Sequence, residues 1–294
     1  MSIEDLISQE FSRNIGLVSE KDQAKLLKAR VAVAGAGGVG GIHLLTLARM
    51  GVGNFNIADL DEFERANISR QFGAFQSTVG RHKAQVLAEM VKDINPEADV
   101  KIFSEGVSSE NVRDFLSECS VYIDSIDFFE FDIRRLLFNT ARSLGIYSVT
   151  AAPLGFGATL QVFSPTGMSF DDYFGITDEM TYEEKIAGFA AGLAPQAFHG
   201  AYLDASKIDM KKRKGPAVAP ACTLCASLIT TEVVKILTGT GQIRPVPRYL
   251  QFDMRLQKWK KGHTLFGGKN PLHRLRSKIA LNFFTSGMKN QKKN

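Results

Sequence analysis

The sequence predicts an α/β fold, a Rossmann-like, doubly wound and mostly parallel sheet with an additional C-terminal strand and helix region. Three observations predict it. Short apolar runs alternate with helical patterns over about 120 residues, the first of these runs ends in a glycine loop, and the second ends in an acidic residue. Strands that alternate with helices form right-handed βαβ units and therefore a parallel sheet.

The elements of this first region can be placed in chain order. Residues 30–34 (RVAVA) are typical of a buried strand because they are apolar and β-branched. A nearly all-apolar helix follows at 42–50, then a strand at 55–61 and a helix at 82–94 that Asn95 and Pro96 stop. The pattern continues with strands at 99–103, 120–124 and 146–150 and helices at 108–119 and 132–145.

The character of the chain changes after Pro153. Residues 157–165 indicate a strand that leaves the parallel region, and a capping box at Thr181–Glu184 opens a helix. Residues 224–239 form a helix with Gly239 as its C-cap, and residues 248–260 could form a hairpin. From Gly262 we expect a mobile tail, with a basic amphipathic helix at 271–284 as the alternative. The expected division is therefore a helical arm (1–29), a main domain (30–254, with a Rossmann-like core at 30–150 and a further region, expected to bind the substrate, at 151–254) and a basic tail (255–294).

Composition indicates an ordinary soluble protein, with 44% hydrophobic and 23% charged residues. No apolar run approaches the roughly 20 residues of a membrane span, and we expect none. The N-terminal stretch is acidic and does not resemble a secretory signal. Three cysteines, at 119, 222 and 225, are too few for a disulfide framework. These features predict a cytoplasmic location.

Charge is distributed unevenly along the chain. Residues 255–294 contain eleven Lys or Arg and no acidic residue, whereas the first 254 residues carry 25 basic and 31 acidic side chains. The overall charge of +5 therefore reflects a basic tail on a mildly acidic body. The tail admits three interpretations: solvated disorder, contact with a partner or nucleic acid such as tRNA, and attachment to a membrane surface.

The glycine loop between the first strand and the first helix indicates a nucleotide. Glycines allow a tight turn and close backbone approach, and the helix N-terminus offers free N–H groups to a phosphate. Asp59 ends the second strand, 24 residues after Gly35, where a carboxylate can accept hydrogen bonds from a ribose. The pattern does not distinguish NAD or FAD from ATP. The loop glycines are Gly35, Gly37, Gly38 and Gly40.

The residues after Asp59 favour ATP. Asn67, Arg70 and Gln71 follow it closely, and Lys83 begins the next helix. Arginine presents a planar fork to phosphate oxygens, and lysine supplies a point charge. Asp127 follows the fourth strand at the carboxyl edge of the sheet, where it could hold Mg²⁺. The competing interpretation is that the two cations are solvated surface residues.

These motifs resemble the ThiF/MoeB/HesA family, whose members adenylate a carboxylate with Mg·ATP. The resemblance implies that Asp59 and Asp61 belong to the nucleotide site, with Asp59 on the ribose and Asn67, Arg70 and Lys83 on the phosphates. It further implies that Asp127 binds Mg²⁺. The matching segments are RVAVAGAGGVGG, NIADLDEFERANISRQF, STVGRHKAQVLAEMVKDINP and VYIDSID.

Two further implications concern the partner subunit and the acceptor. Arg13, in FSRNIGL, is similar to the arginine that family members lend to the neighbouring subunit's ATP, which implies a homodimer. The usual acceptor is the C-terminal glycine of a small ubiquitin-like protein. We therefore expect an adenylyltransferase acting on such a protein or a peptide. The alternatives are a carboxylate on modified tRNA and a nucleotide-binding protein, NAD or ATP, without adenylation activity.

The chain departs from the family in three places. Many members bind zinc through two C-x-x-C pairs, but only Cys222 and Cys225 form such a pair here, which excludes a Cys₄ site from one chain. We expect these two to be buried apolar residues, with a thioester or redox role as the alternative. The stretch FFEFD after Asp127 is two residues longer than usual before Arg134, and residues 166–220, the expected substrate channel, match no family pattern.

Overall fold

The computed structural model describes residues 2–209 and 213–290. Its centre is one eight-stranded sheet in the order β3-β2-β1-β4-β5-β6-β7-β8. The first five strands run parallel, and the last three pair antiparallel with their neighbours. The predicted fold class is therefore confirmed. The strands are β1 Arg30–Ala34, β2 Asn54–Ala58, β3 Asp99–Phe103, β4 Val121–Asp124, β5 Tyr147–Leu154, β6 Gly157–Phe163, β7 Arg248–Asp253 and β8 Lys258–His263.

Helices cover both faces of the sheet, because alternate residues of the buried strands point to opposite faces. Val31 and Val33 of β1 belong to a core shared with α3, α4 and α9, and Ala32 and Ala34 to a core shared with α5 to α8. The helices are α1 Ile3–Ser8, α2 Glu20–Lys28, α3 Gly38–Arg49, α4 Lys83–Ile94, α5 Val112–Phe115, α6 Phe131–Ser143, α7 Phe170–Phe174, α8 Tyr182–Leu193, α9 Ala219–Thr238 and α10 Pro271–Asn290.

The N-terminal arm contains a small hydrophobic core of its own, formed by Leu6, Phe11 and Leu27. Gln23, which is fully buried, accepts a hydrogen bond from Asn14 at 3.1 Å and donates to Met50 O at 2.9 Å. These contacts fix the start of the chain against α2 and the end of α3.

The C-terminal region continues the fold. Strands β7 and β8 form the predicted hairpin, and the boundary expected between residues 254 and 255 falls inside it. Of the two alternatives for the chain after Gly262, the structure shows the helical one, α10, rather than a mobile tail. Helix α10 packs on α8, and the His273 ring bonds Phe174 O through Nε2 at 2.9 Å.

Helix α9 is the one helix in the described ranges that is long and apolar enough to cross a membrane, with a mean hydropathy of 1.5. Its apolar composition is explained by burial, because it is a core helix of this fold. Cys225, Ile229 and Val233 lie in the core beneath the sheet, and the helix packs against α3, β5 and β6.

Candidate active site

The glycine loop joins β1 to α3 and lies directly beside the end of β4. Gly35 adopts a φ of +90°, which L side chains rarely adopt, and a Cβ there would overlap the carbonyl oxygen of Ser125. A Cβ at Gly40 would overlap the oxygen of Gly35 in the same way. The loop therefore requires glycine at both positions, and its close packing aims the N-terminus of α3 at the carboxyl edge of the sheet.

Asp59 is fixed to this loop. Its Oδ2 accepts a hydrogen bond from Ala36 N at 2.6 Å, and its Oδ1 accepts one from Asp61 N at 2.8 Å. Strand β2 pairs with β1 up to Ala34 and Ala58, so the acid emerges next to the first glycine. The sequence-predicted ribose acid and the predicted phosphate loop are thus joined directly.

Arg70 and Gln71 reach the same loop from the segment after β2. If Gly37 carried a Cβ, that atom would lie 3.6 Å from the Gln71 side-chain amide nitrogen. A Cβ on Gly38 would lie 3.8 Å from Arg70 Cγ. Gln71 Oε1 is buried and has no hydrogen-bond partner within residues 2–209 and 213–290. A buried polar atom without a partner is costly, and one beside a glycine loop suits a ligand donor.

Asn67 and Lys83 lie in the same segment with different partners. Asn67 is buried, and its Oδ1 accepts a bond from Glu64 N at 2.9 Å, so in this state it caps a short turn. The Lys83 ammonium, whose side chain is only 8% exposed, forms an ion pair with Asp61 at 2.9 Å. Asp61 is 58% exposed and holds that cation at the edge of the loop. A phosphate could bind the Lys83 ammonium alongside the Asp61 carboxylate or in its place.

The segment that carries Asp127 is held from below by Arg134. Arg134 Nη2 donates to Asp127 O at 2.9 Å, and Nη1 donates to Phe128 O at 3.2 Å. Its Nε bonds the buried carboxylate of Asp124, which also accepts from Thr150 Oγ1 at 3.0 Å. The longer FFEFD stretch is therefore accommodated by backbone bonds to one buried arginine. The Asp127 side chain accepts a bond from Phe129 N at 3.0 Å through Oδ1.

Sequence reasoning missed a histidine–serine pair under the glycine loop. His43, on α3, is fully buried, and its Nδ1 lies 3.0 Å from Ser125 Oγ. Burial lowers the pKa of His43 to about 3, so the ring is neutral at physiological pH. Ser125 directly follows β4, 82 residues after His43, so nothing in the sequence around His43 indicates this pairing.

Of the two cysteines of α9, Cys222 lies beside the same loop, and Cys225 lies in the core beneath the sheet. A Cβ on Gly38 would lie 3.3 Å from Cys222 Sγ and 3.8 Å from Arg70 Cγ, so the thiol and the arginine approach the same glycine. Burial raises the pKa of Cys222 to about 11, against a smaller lowering by the Arg70 charge, and burial raises the pKa of Cys225 well above its usual value. Buried protonated thiols are poor nucleophiles, which favours the packing interpretation. No cluster of three or more His, Cys, Asp or Glu side chains suited to a metal occurs in the described ranges.

Two sequence-predicted site residues have no direct contact with this cluster in the described part of the chain: Asp127, whose partners are given above, and Arg13. Arg13 lies in a short turn, Ser12–Asn14, and is exposed. Among the residues that the structure describes, no hydrogen bond or ion pair involves its guanidinium. Leu17, four residues on, is 95% exposed. The arm thus presents a cation and an apolar side chain away from its own core.

Comparisons with known proteins show which family the sequence matches. The family model described as the ThiF family matches residues 11–270. The tRNA threonylcarbamoyladenosine dehydratase of Haemophilus influenzae is 39% identical over 124 residues, which are 42% of this chain and 48% of that protein. The sulfur carrier protein ThiS adenylyltransferase of Escherichia coli is 29% identical over 269 residues, 88% of this chain and 95% of that protein.

A solved structure shows the same fold. The structure of Escherichia coli MccB with AMPCPP and MccA superposes with a TM-score of 0.68 at 18% identity, covering 88% of this chain and 72% of the other. The chain spans about half the length of the Haemophilus relative and nearly all of the ThiS adenylyltransferase.

Proposed function

Because the chain belongs to the ThiF family, we propose that it is an ATP-dependent adenylyltransferase that activates a carboxylate as an acyl-adenylate and releases pyrophosphate. One observation carries the proposal. The glycine loop, Asp59, the Arg70–Gln71 pair and Lys83 form one connected cluster, in which Ala36 N bonds Asp59, Asp61 N bonds Asp59, and Lys83 bonds Asp61. A dinucleotide with two bridging phosphates does not need both cations.

Each residue of the cluster has a separate task in this proposal. Asp59 would accept from the ribose, and the loop N–H groups of Gly37, Gly38 and Gly40 would face the phosphates. Gly35 would shape the loop, since its own N–H donates to Ala58 O at 2.8 Å. Arg70 and Lys83, assisted by Asn67 and Gln71, neutralise the charge that moves onto the departing pyrophosphate. The unpartnered Gln71 Oε1 supports an occupant at this position.

Asp127 is the residue proposed to hold Mg²⁺. Magnesium in phosphate-transfer sites is commonly bound by one or two carboxylates together with substrate phosphates and water. A single acid therefore suits a chain whose described residues contain no larger cluster of metal-binding side chains. The ion would withdraw charge from the phosphate oxygens. The protein's part is to hold the Asp127 backbone through Arg134. Asp127 Oδ1 accepts from Phe129 N, and Oδ2 has no hydrogen bond among the described residues, so it would be the oxygen available to the ion.

The reaction needs no general base, because the attacking carboxylate is already an anion. The buried His43 agrees with this, since burial lowers its pKa to about 3 and leaves it a weak base at pH 7. The contribution of the chain is therefore to position the reactants and neutralise charge.

We propose the C-terminal carboxylate of a small ubiquitin-like protein or peptide as the acceptor. The near-complete coverage of the ThiS adenylyltransferase supports this choice, and the expected channel is the region 166–220 with its two short helices α7 and α8. A carboxylate on tRNA is the second candidate, favoured by the 39% identity to the dehydratase. The cytoplasmic location stays a prediction.

A homodimer completes the proposed site. Arg13 lacks a partner among the described residues of its own chain, and the neighbouring Leu17 is almost fully exposed. In the dimer, Arg13 would reach the outer phosphates of ATP on the neighbouring subunit, while Leu17 would be covered.

Calorimetry tests the nucleotide assignment. Mg·ATP should bind more tightly than NAD or AMP, and Arg70→Ala should remove most of that preference at a cost of about 1.5–3 kcal/mol. Arg65→Ala is the matched control, because Arg65 is exposed in the same segment and its guanidinium donates to Gln76 Oε1 at 3.4 Å. Tighter binding of NAD than of Mg·ATP would refute the proposal.

A further inference from the structure

The C-terminal region exposes an unusual share of the apolar surface. Of the fifteen exposed large hydrophobic side chains in the described ranges, seven fall between residues 259 and 283. Scattered apolar residues are normal on a protein surface, whereas a cluster of this kind marks an interaction site. The seven are Trp259, Leu265, Phe266, Leu272, Leu275, Ile279 and Phe283.

Four of these residues form a stripe along α10. Leu272, Leu275, Ile279 and Phe283 are spaced by three or four residues, which places them on one face of the helix, and they are 59%, 55%, 61% and 42% exposed. The face that packs on the protein is a different one. It contains His273, which is 2% exposed and bonded to Phe174 O. The stripe therefore does not contribute to the core.

Cations flank the stripe on both sides. At 100° per residue, Arg276 lies on one side of it and Lys278 on the other. Beside the helix, an open and mostly polar cavity of about 340 Å³ is lined by Lys260, Lys261 and His263 of β8 together with Arg276 and Leu272. A cationic cavity thus adjoins the apolar stripe.

These positive charges are not neutralised within the fold. Residues 255–294 contain no Asp or Glu. In the described part of the chain, none of the cations between Lys258 and Lys278 forms an ion pair with an acidic residue elsewhere. Lys261 instead lies over the Trp259 ring at 4.8 Å.

We propose that this surface, formed by β8, the following turn and α10, binds an anionic membrane surface. The stripe would enter the boundary between headgroups and acyl chains, and the cavity would receive lipid phosphates. A helix with an apolar face bordered by Lys and Arg has the pattern of an interfacial helix. This attachment would hold the protein on the membrane surface. It is independent of the adenylation activity proposed above.

Two other occupants explain less of the surface. Nucleic-acid phosphates would satisfy the cations but leave four large apolar side chains in water. A second copy of the chain would cover the apolar stripe, but a two-fold interface opposes the same patch on both subunits and would bring the unpaired cations together. An anionic bilayer would pair its phosphates with the lysine and arginine side chains and would also bury the apolar stripe of α10.

Vesicle binding by the full-length protein tests the proposal. Trp259 is the only tryptophan in the chain, is 57% exposed and precedes Lys260, which lines the cavity, so its fluorescence reports on strand β8. With vesicles of phosphatidylcholine and phosphatidylglycerol we expect co-sedimentation, a blue shift of the Trp259 emission and loss of both at high salt. With phosphatidylcholine alone, both effects should be much weaker.

Two variants and two controls separate the contributions. Lys260→Glu/Lys261→Glu and Leu275→Ser/Ile279→Ser should each weaken vesicle binding by about tenfold or more. Lys92→Glu and Leu144→Ser, exposed changes of the same kind on α4 and after α6, should not. Without vesicles, pyrophosphate exchange should be unchanged in all four.

Three results would overturn the inference: no binding to anionic vesicles, equal weakening by the controls, or conversion of the protein from dimer to monomer by the stripe variant alone. Salt-sensitive binding of RNA that is lost in the Lys260/Lys261 variant, together with absent vesicle binding, would assign the surface to nucleic acid instead.

Discussion

Arg134 bonds both carboxylate oxygens of Asp124 through its Nε, at 3.2 and 3.0 Å, and both side chains are only 3% exposed. The remaining guanidinium nitrogens bond the backbone oxygens of Ile126, Asp127 and Phe128. One buried ion pair therefore joins the end of β4 to the loop that carries the proposed magnesium ligand. Its main role is to hold the backbone of Asp127 in position.

Replacing Arg134 should destabilise the fold, because it leaves Asp124 as a buried charge without a partner. For Arg134→Gln we expect a loss of about 3–5 kcal/mol in the free energy of unfolding, measured in urea. Arg135→Gln is the control, since its partners Asp171 and Asp178 are more exposed, and it should lose a smaller amount, about 1–2 kcal/mol. Equal losses in both variants would contradict the proposed role of Arg134.

Asp127→Asn separates charge from structure at the proposed metal site. An asparagine Oδ1 can still accept the bond from Phe129 N, so stability and AMP affinity should stay near the wild-type values. Pyrophosphate exchange should fall by about 100-fold or more, because the transition-state charge is no longer balanced. In calorimetry, Mg²⁺ should no longer strengthen ATP binding. Asp132→Asn, an exposed change on α6, is the control, and unchanged exchange in Asp127→Asn would remove this residue from the site.

The parallel core could be predicted because its signals are local. Residues 30–34 and 99–103 are strands at the predicted positions, and the Thr181–Glu184 capping box and the Gly239 C-cap are also present. The helix expected over residues 108–119 is limited to Val112–Phe115. Asn111 bonds Ser108 N and Gly106 O with its side chain, which favours a turn over an earlier helical start.

Features that depend on distant partners could not be predicted. The docking site of α10 includes Phe174, 99 residues before His273, so nothing in the tail itself indicates the contact. The pairing of His43 with Ser125 joins α3 to β4 in the same way. The sequence does contain Asp124 and Arg134, but only the fold shows that their pairing holds the loop of Asp127.

His43 should make stability depend on pH. Its pKa is lowered by burial to about 3 in the folded state, whereas an unfolded histidine titrates near 6.5. Between these two pH values the unfolded chain binds a proton at this residue and the folded chain does not. The contribution of His43 to the free energy of unfolding is therefore retained above pH 6.5 and is lost progressively as the pH falls below it. From pH 6.5 to pH 5 this residue should contribute a loss of about 2 kcal/mol.

Urea unfolding of wild type and His43→Gln at several pH values checks this expectation. Glutamine keeps a hydrogen-bonding group near Ser125 but does not titrate, so the variant should show a shallower decrease below pH 6.5. The same slope in both proteins would show that His43 is not the group responsible.

Mixed dimers test whether the site is shared between subunits. Arg13→Ala and Asp127→Asn should each be inactive as homodimers, because each lacks one required residue at both sites. A mixture should regain some exchange activity, since one site of a mixed dimer contains both native residues. If Arg13 acts only within its own chain, mixtures with subunit exchange verified by mass spectrometry should stay at background.

Pyrophosphate exchange is the most direct test of adenylation itself. Wild-type protein should return labelled pyrophosphate to ATP only when a carboxylate acceptor is present, with small ubiquitin-like proteins, peptides and modified tRNA as separate arms. Arg70→Ala should lower the rate sharply, and Arg65→Ala should not. Cleavage of ATP to ADP and phosphate, without any label in ATP in the presence of an acceptor that the protein binds, would contradict the proposed function.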